Sequence, residues 1–379
     1  LCFYYFMFFN IYYLYLILFI CSLLFSIILN FLLINLAKKL KKGKLEVNQE
    51  RWTNEHIPTF GGTAFFIIFL LAIIFFNFYS IYKGVPINSI GIIFIILGAS
   101  LSYLLGLFDD VFYLNPIIKF LTQIIISVII IIGGISINVF DSIWLNYLLT
   151  ALWIVGIMNA TNLLDNMDGT AAISVLGIAG TILSICLLNN TNNINNINVA
   201  SLLIIIGILI GFLVFNWPKA KIYMGDSGSM FLGFIIAMWG IKYIWNLDSL
   251  LPNVTYHWIV PFILIAVIYC LPILDTSITF LKRIVHHRSP LLGGKDHTTH
   301  HLIYLGLTNT QVLLLMIFIS ILNFLVSYFF IININQLNSF FYLGIFTYLI
   351  IIFAFLLYAS FTHIEKSYPN EKNKKITDI

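Results

Sequence analysis

Asn88-Ser-Ile-Gly-Ile-Ile-Phe-Ile-Ile-Leu-Gly-Ala-Ser-Leu-Ser-Tyr-Leu-Leu-Gly-Leu-Phe-Asp109-Asp110 is apolar or small almost throughout and ends on two adjacent carboxylates. As a helix rising about 1.5 Å per residue, its apolar part (88–107) crosses the roughly 30 Å of hydrocarbon in a bilayer. Windows of the same kind follow on both sides, at 12–35, 60–79, 117–134, 143–160, 171–188, 200–215, 229–245, 258–280, 311–333 and 339–361. The window at 200–215 is the shortest of them. Of the 379 residues, 61% are hydrophobic and 9% charged, against about 25% charged in soluble domains, so a soluble globule is excluded. The expected fold is all-α: one integral membrane domain over 1–379 with about eleven transmembrane helices and a short charged tail at 362–379. The opening apolar run lacks the basic start and small-residue cleavage site of a signal peptide, so it is expected to be the first span.

Charge sets the expected orientation. With the N-terminus outside and the C-terminus cytoplasmic, every one of the 19 Lys and Arg residues except Lys83 and Lys242 falls on the inner side. That is the partition the positive-inside rule demands, and an even span count would scramble it. Cys2, Cys21, Cys186 and Cys270 sit in apolar runs without CxxC spacing, which indicates neither a disulfide frame nor a zinc ribbon. The Asn-rich stretch 189–198 reads as a solvated loop.

Asp109, Asp110, Asp165, Asp168 and Asp226 lie at or just inside the expected cytoplasmic ends of three different spans. Ionised groups at the edge of hydrocarbon cost several kcal/mol each unless paired or bound to a cation, so their convergence marks a functional site. An ion pathway is the competing reading, but coupling-ion sites usually lie at the midplane, in matching pairs of interrupted spans, and no such pair is evident.

Four constellations carry the chemistry. Asp109-Asp110 precede Lys119 and Gln123; adjacent carboxylates need a cation between them, and oxygen-only ligands suit a hard ion such as Mg²⁺. Acids are also misplaced at a helix C-terminus, where the dipole favours cations. Asn162, Asp165 and Asn166 share one helix face, and Asp168-Gly169 marks a turn. In Asn216-Trp-Pro218-Lys-Ala-Lys221-Ile-Tyr223-Met-Gly225-Asp226-Ser-Gly228-Ser229, Asp226 opens a helix whose free N–H groups would suit phosphate. The fourth is Lys282-Arg283, Arg288-Ser-Pro290, Asp296-His297-Thr-Thr-His300-His301; its histidines share a face if helical, and anion contact is favoured over zinc because no cysteine is near. Asp275, inside the ninth window, needs a partner and is expected to find it in this loop.

In this order the motifs resemble the polyprenyl-phosphate N-acetylhexosamine-1-phosphate transferases, membrane enzymes that start bacterial cell-wall and surface polysaccharides. The resemblance rests on His56-Ile-Pro58-Thr-Phe-Gly61-Gly62, Asp109-Asp110 with Lys119 and Gln123, 162–169, 216–228, and Ser289-Pro290 with 297–301. The last motif, together with eleven spans, looks like the branch using UDP-N-acetylglucosamine rather than the one transferring phospho-N-acetylmuramoyl-pentapeptide. The chain departs from the common pattern at Asn166, where glycine is usual, and at Leu291-Leu-Gly-Gly294, where that branch often has an aromatic and a charged residue.

The resemblance implies that undecaprenyl phosphate attacks the β-phosphorus of a UDP-sugar, giving undecaprenyl diphosphate-sugar and UMP. Mg²⁺, or Mn²⁺ in its place, would be held by Asp226 with Asn162 or Asp110 assisting. Asp109, Asp110 and Asp165 are the expected catalytic carboxylates, Asp109 or Asp110 as base, with a double displacement through an aspartyl intermediate as the alternative. Lys119 would hold remaining charge. Asp168, Asn166 and Tyr223 would meet the uracil end, Asn216 would also contact substrate, and Arg288, His297, His300 and His301 would face the sugar and its phosphates. The expected setting is the bacterial inner membrane with the site on its cytoplasmic face. Expected partners are the UDP-sugar, the polyprenyl phosphate, the bilayer and, in a homodimer, a second copy; no nucleic acid is expected. A cation-coupled transporter and a non-catalytic assembly scaffold are the readings from other classes.

Overall fold

A computed structural model describes residues 2–40, 57–82, 89–189, 197–247, 259–287, 296–334 and 339–362. Among these the chain is helical, without strands. In order it forms α1 (Cys2–Leu40), α2 (Gly61–Tyr82), α3 (Ser89–Phe112), α4 (Pro116–Ile132), α5 (Ile143–Leu164), α6 (Thr170–Asn189), α7 (Ile197–Asn216) and α8 (Gly225–Gly240). A π-helical turn (Ile241–Trp245) extends α8, and α9 (Val260–Ile268), α10 (Cys270–Val285), α11 (Thr298–Tyr304), α12 (Asn309–Ile332) and α13 (Ser339–Phe361) follow. The windows predicted from hydropathy fall on single helices, except that 229–245 runs from α8 into the π turn and 258–280 is divided between α9 and α10.

Nine of the described helices are long and apolar enough to cross a membrane, α1 through its Tyr12–Lys39 part and α8 together with its π turn. The count becomes ten if α9 and α10 form one span. α4 is shorter, so eleven crossings are not all matched by full-length helices. Outer faces of α1 and α13 expose Leu16, Phe31, Phe340 and Phe355, as helices set in a bilayer do. The protein is a multi-pass membrane protein.

The predicted window 258–280 is corrected most. α9 and α10 meet at an 80° bend, where the sequence reading expected an uninterrupted span. Pro272 lies in the first turn of α10; it has no N–H, and its ring collides with the carbonyl four residues back, at Ile268, where α9 stops. Tyr269 fills the corner, its hydroxyl donating to the Ile236 carbonyl at 2.5 Å and its ring meeting Trp153 edge-on. Because this is a single break among the described residues, it does not supply the matched pair of interrupted spans that a transporter requires.

α8 is the axis of the bundle, buried along nearly its whole length and packed against α2, α3 and α5. Its first turn is approached by backbone. A Cβ on Gly106 of α3 would lie 2.1 Å from the Asp226 carbonyl oxygen, and one on Gly62 of α2 would lie 2.2 Å from the Gly228 nitrogen. Glycine at these two positions lets three helices meet at one point, and the carboxylates gather there.

Candidate active site

The segment before α2 pairs with the segment before α8. Tyr223 N–H donates to the Pro58 carbonyl at 2.8 Å, Gly61 N–H to Tyr223 O at 3.0 Å and Gly62 N–H to Met224 O at 2.9 Å. Gly225 then turns the chain into α8 at a φ of +71°, a conformation glycine adopts without strain.

Asp110 closes α8 from the other side. Its Oδ1 accepts from the Asp226 N–H at 2.9 Å and its Oδ2 from the Ser227 N–H at 3.0 Å. This corrects one sequence expectation: the first N–H groups of α8 are not free for phosphate, because a carboxylate of α3 already holds them. It also explains why acids end α3, since Asp110 is unfavourable for the dipole of its own helix but sits at the positive end of another.

Asp109 points to a different partner. It is 4% exposed, accepts from Leu114 N–H at 2.9 Å through Oδ1 and forms an ion pair with the Lys119 ammonium through Oδ2. Lys119 also lies 3.8 Å from Asp226 Oδ2, so one cation bridges carboxylates of α3 and α8. On the far side, Asn162 Nδ2 donates to Asp226 Oδ1 and to Ser229 Oγ, both at 2.9 Å. One turn deeper, Gln123 and Asn159 bind each other amide to amide at 2.7 and 3.3 Å, fixing α4 against α5. Asp226, with its side chain 34% exposed, is far more open to a ligand than Asp109 at 4%.

The uracil-side candidates separate. Asp168 Oδ2 accepts from Lys219 N–H at 3.1 Å and Ala220 N–H at 3.2 Å. Asn216, 2% exposed, accepts from Gly169 N–H at 2.9 Å and donates to Ile222 O at 2.8 Å. Both residues clamp the loop 217–224 onto the turn after α5. Asn166 accepts from Thr299 Oγ1 at 2.7 Å, linking that turn to α11. Tyr223 is 7% exposed, so its ring is packed rather than presented. Asp165 caps α5 and is half-buried.

The histidine motif is buried where the sequence reading expected it to face substrate. His297, His300 and His301 are 4%, 3% and 0% exposed. Asp275 does find its partner in this segment: Oδ2 meets His297 Nδ1 at 3.0 Å, while Oδ1 accepts from Thr298 N–H at 2.9 Å and its hydroxyl at 2.5 Å. Arg283 forks onto Asp296 with two bonds of 2.7 Å, and Lys282 meets His301, whose other ring nitrogen faces the Thr362 carbonyl at 3.2 Å. Arg283, Asp296, Thr299 and Ser229 belong to the quoted constellations but are given no role of their own there; the opposite charges of Arg283 and Asp296 at the two ends of one loop are the available signal. His56, Arg288, Ser289-Pro290, Leu291–Gly294 and the tail beyond Thr362 lie outside the described residues.

Burial, and then the neighbouring His297 charge, pushes His300 down from 6.5 to about 3; burial, and then Lys282, pushes His301 to about 4. Both rings are therefore neutral at neutral pH, whereas unfolded histidine takes up a proton near 6.5. Their contribution to stability is complete above that value and is lost as pH falls from about 6.5 toward about 3, because the unfolded chain binds the protons more tightly. The thermal unfolding midpoint should drop through this range, and His300→Asn should flatten the drop. A midpoint equally pH-dependent in that variant would refute the assignment.

The donor set suits a hard divalent ion. Asp109, Asp110 and Asp226 gather near one ammonium, and the groups directly around Asp226 offer oxygen or amide. Among the described residues no group of three His, Cys, Asp or Glu side chains is arranged to ligate a metal alone.

Comparison with known proteins meets this geometry. The sequence profile of glycosyl transferase family 4 matches residues 92–244, from α3 through the π turn. A "probable undecaprenyl-phosphate N-acetylglucosaminyl 1-phosphate transferase" of Bacillus subtilis (strain 168) is 30% identical over 95% of this chain and 94% of its own. A decaprenyl-phosphate N-acetylglucosaminephosphotransferase of Mycolicibacterium smegmatis is 28% identical over 70% of each. A phospho-N-acetylmuramoyl-pentapeptide-transferase of Streptococcus thermophilus is 31% identical, but over 52% of this chain and 62% of that protein. Likeness along almost the whole of two chains, through helices that build one carboxylate cluster, places this protein in glycosyl transferase family 4, among the polyprenyl-phosphate N-acetylhexosamine-1-phosphate transferases.

Proposed function

We propose that the protein transfers N-acetylglucosamine-1-phosphate from UDP-N-acetylglucosamine to undecaprenyl phosphate, releasing UMP and starting a cell-wall or surface polysaccharide. The observation that carries this reading is the end-to-end similarity to the Bacillus subtilis protein, named for that reaction, together with the Asp226–Lys119–Asn162 cluster at one end of the bundle. Phosphoryl transfer asks for positioning and charge neutralisation more than covalent chemistry. Mg²⁺ held by Asp226 and the diphosphate of the donor, with Asn162 and Asp110 behind it, would supply that neutralisation. Lys119 is held between Asp109 and Asp226, where its ammonium can meet a phosphate oxygen. Asp109 is the group to take the last proton of the lipid phosphate. That phosphate has a second pKa near 6, so at neutral pH much of it arrives without one. Asp165 stands on the same turn as Asn162, close enough in sequence to share the catalytic role. Asp168 and Asn216 act by holding the loop that carries Tyr223, and the buried histidines by holding α11 against α10.

The orientation that supports this chemistry counts α4 and the α9–α10 pair as one crossing each, giving eleven. It puts the carboxylate end in the cytoplasm of a bacterial inner membrane, on the side that holds nearly all the basic residues.

Purified, lipid-reconstituted protein given undecaprenyl phosphate and Mg²⁺ should release UMP from UDP-N-acetylglucosamine and not from UDP-N-acetylmuramoyl-pentapeptide. Release from the second donor alone would move the protein to peptidoglycan synthesis, the reading that the partial streptococcal matches favour. Activity undiminished by chelator would remove the Mg²⁺ assignment.

A further inference from the structure

The geometry points to a second ligand site, for the phosphodiester headgroup of an anionic phospholipid, at the end of the bundle away from Asp226. A cavity of about 360 Å³ opens there between α2, α3, the segment that follows α4, α7 and α8 with its π turn, a volume in the range of small-molecule sites. Ile73, Ile95 and Ile235 line it below, while Asn138, Lys242 and Asn246 stand among the polar groups around it. Apolar walls under a polar rim complement an amphiphile: acyl methylenes within and a charged head at the mouth.

Lys242 and the rim carry the argument. Lys242 lies sixteen positions beyond Asp226 on a continuous helical run, so about 24 Å separates them along the axis. No carboxylate among the described residues lies within ion-pair distance of Lys242. A lysine in a span marks a ligand or a snorkelling anchor. An anchor needs neither a cavity nor a special backbone, and here there are both. Lys242 belongs to the π turn, in which Asn246 N–H reaches back five residues to the Ile241 carbonyl at 3.1 Å. Such turns are rare and re-aim side chains at functional positions.

The rim is fixed in advance. Asn246 accepts from Asn138 N–H and donates to Ser136 O, both at 2.8 Å, and Trp239 donates to Ser201 Oγ at 3.2 Å, tying α7 to α8. Asn138 Oδ1 accepts from Ser136 Oγ at 3.2 Å, and its amide N–H₂ belongs to a residue that lines the same cavity as Lys242. One ammonium balances the single charge of a phosphodiester. A phosphomonoester, with about −1.5 to −2 at neutral pH, would leave uncompensated charge, so the substrate lipid is not the ligand this site fits.

The test uses the full-length protein in phosphatidylcholine nanodiscs with phosphatidylglycerol added, counting bound lipid by native mass spectrometry. Wild-type protein should prefer phosphatidylglycerol at least about tenfold, a difference of about 1.4 kcal/mol. Lys242→Gln should abolish the preference and Lys242→Arg should keep it, while Ile95→Trp, which fills the cavity, should lower occupancy with the charge intact. UMP release by Lys242→Gln should match wild type, showing that the variant is folded. An undiminished preference in Lys242→Gln overturns the proposal, as does unchanged occupancy in Ile95→Trp. Displacement of the lipid by inorganic phosphate alone would also overturn it, showing a free-anion site.

Discussion

Asp226→Asn should release UMP at least about a hundredfold to a thousandfold more slowly than wild type, the usual cost of removing one group that stabilises transferring charge. The substitution keeps an oxygen that can accept from Asn162 Nδ2 and changes a side chain that is partly exposed, so the thermal midpoint should move little. What is lost is a negative charge in the first turn of α8, opposite Lys119. Rate collapse with an intact fold is the signature of a group acting on substrate. A folded, inserted variant turning over near the wild-type rate would sink the proposed active site.

Asp110→Ala should do the reverse, damaging the fold first. It removes both oxygens that accept from Asp226 and Ser227 and leaves two helix-start N–H groups without partners. Losing charge-assisted bonds at such a cap costs roughly 2–4 kcal/mol. Asp110→Asn retains one acceptor and should lose about half as much. Thermal unfolding separates the two variants, and UMP release per folded molecule separates a cap from a catalytic carboxylate. If Asp110→Asn unfolds like wild type yet turns over a hundredfold more slowly, Asp110 acts in the chemistry as well. If both variants are as stable as wild type, the capping role is wrong.

The two experiments mark where sequence stops being informative. Helix positions were readable because lipid accepts no unsatisfied backbone, so each crossing leaves a long apolar window. The bend between α9 and α10 was less readable, since hydropathy is blind to direction; Pro272 was the local sign of it. That Asp109, Asp110 and Asp226 gather was legible from the helix ends on which they lie, but Asp168, expected with them, turns instead to the 219–220 backbone. What each acid does was not legible, because Asp109 and Asp110 are neighbours with the same side chain, and their partners, Lys119 and the start of α8, lie at unrelated distances along the chain. The histidines show the same limit. Their spacing suggested one presented face, but Asp275, Lys282 and the Thr362 carbonyl, from other helices, turn that face inward.

The bond between Asp110 and the first turn of α8 spans 116 positions of sequence, and it bears on how the chain is made. Lys119 follows Asp109 by about ten positions, so the first of the paired acids meets its counter-charge as soon as α4 enters the bilayer. Asp110 waits. Until four more helices have been threaded and α8 arrives, its carboxylate sits at the edge of hydrocarbon with no compensating partner. A nascent protein halted before Gly225 would therefore lack the two N–H groups that hold Asp110, and the arrival of α8 is the step that supplies them.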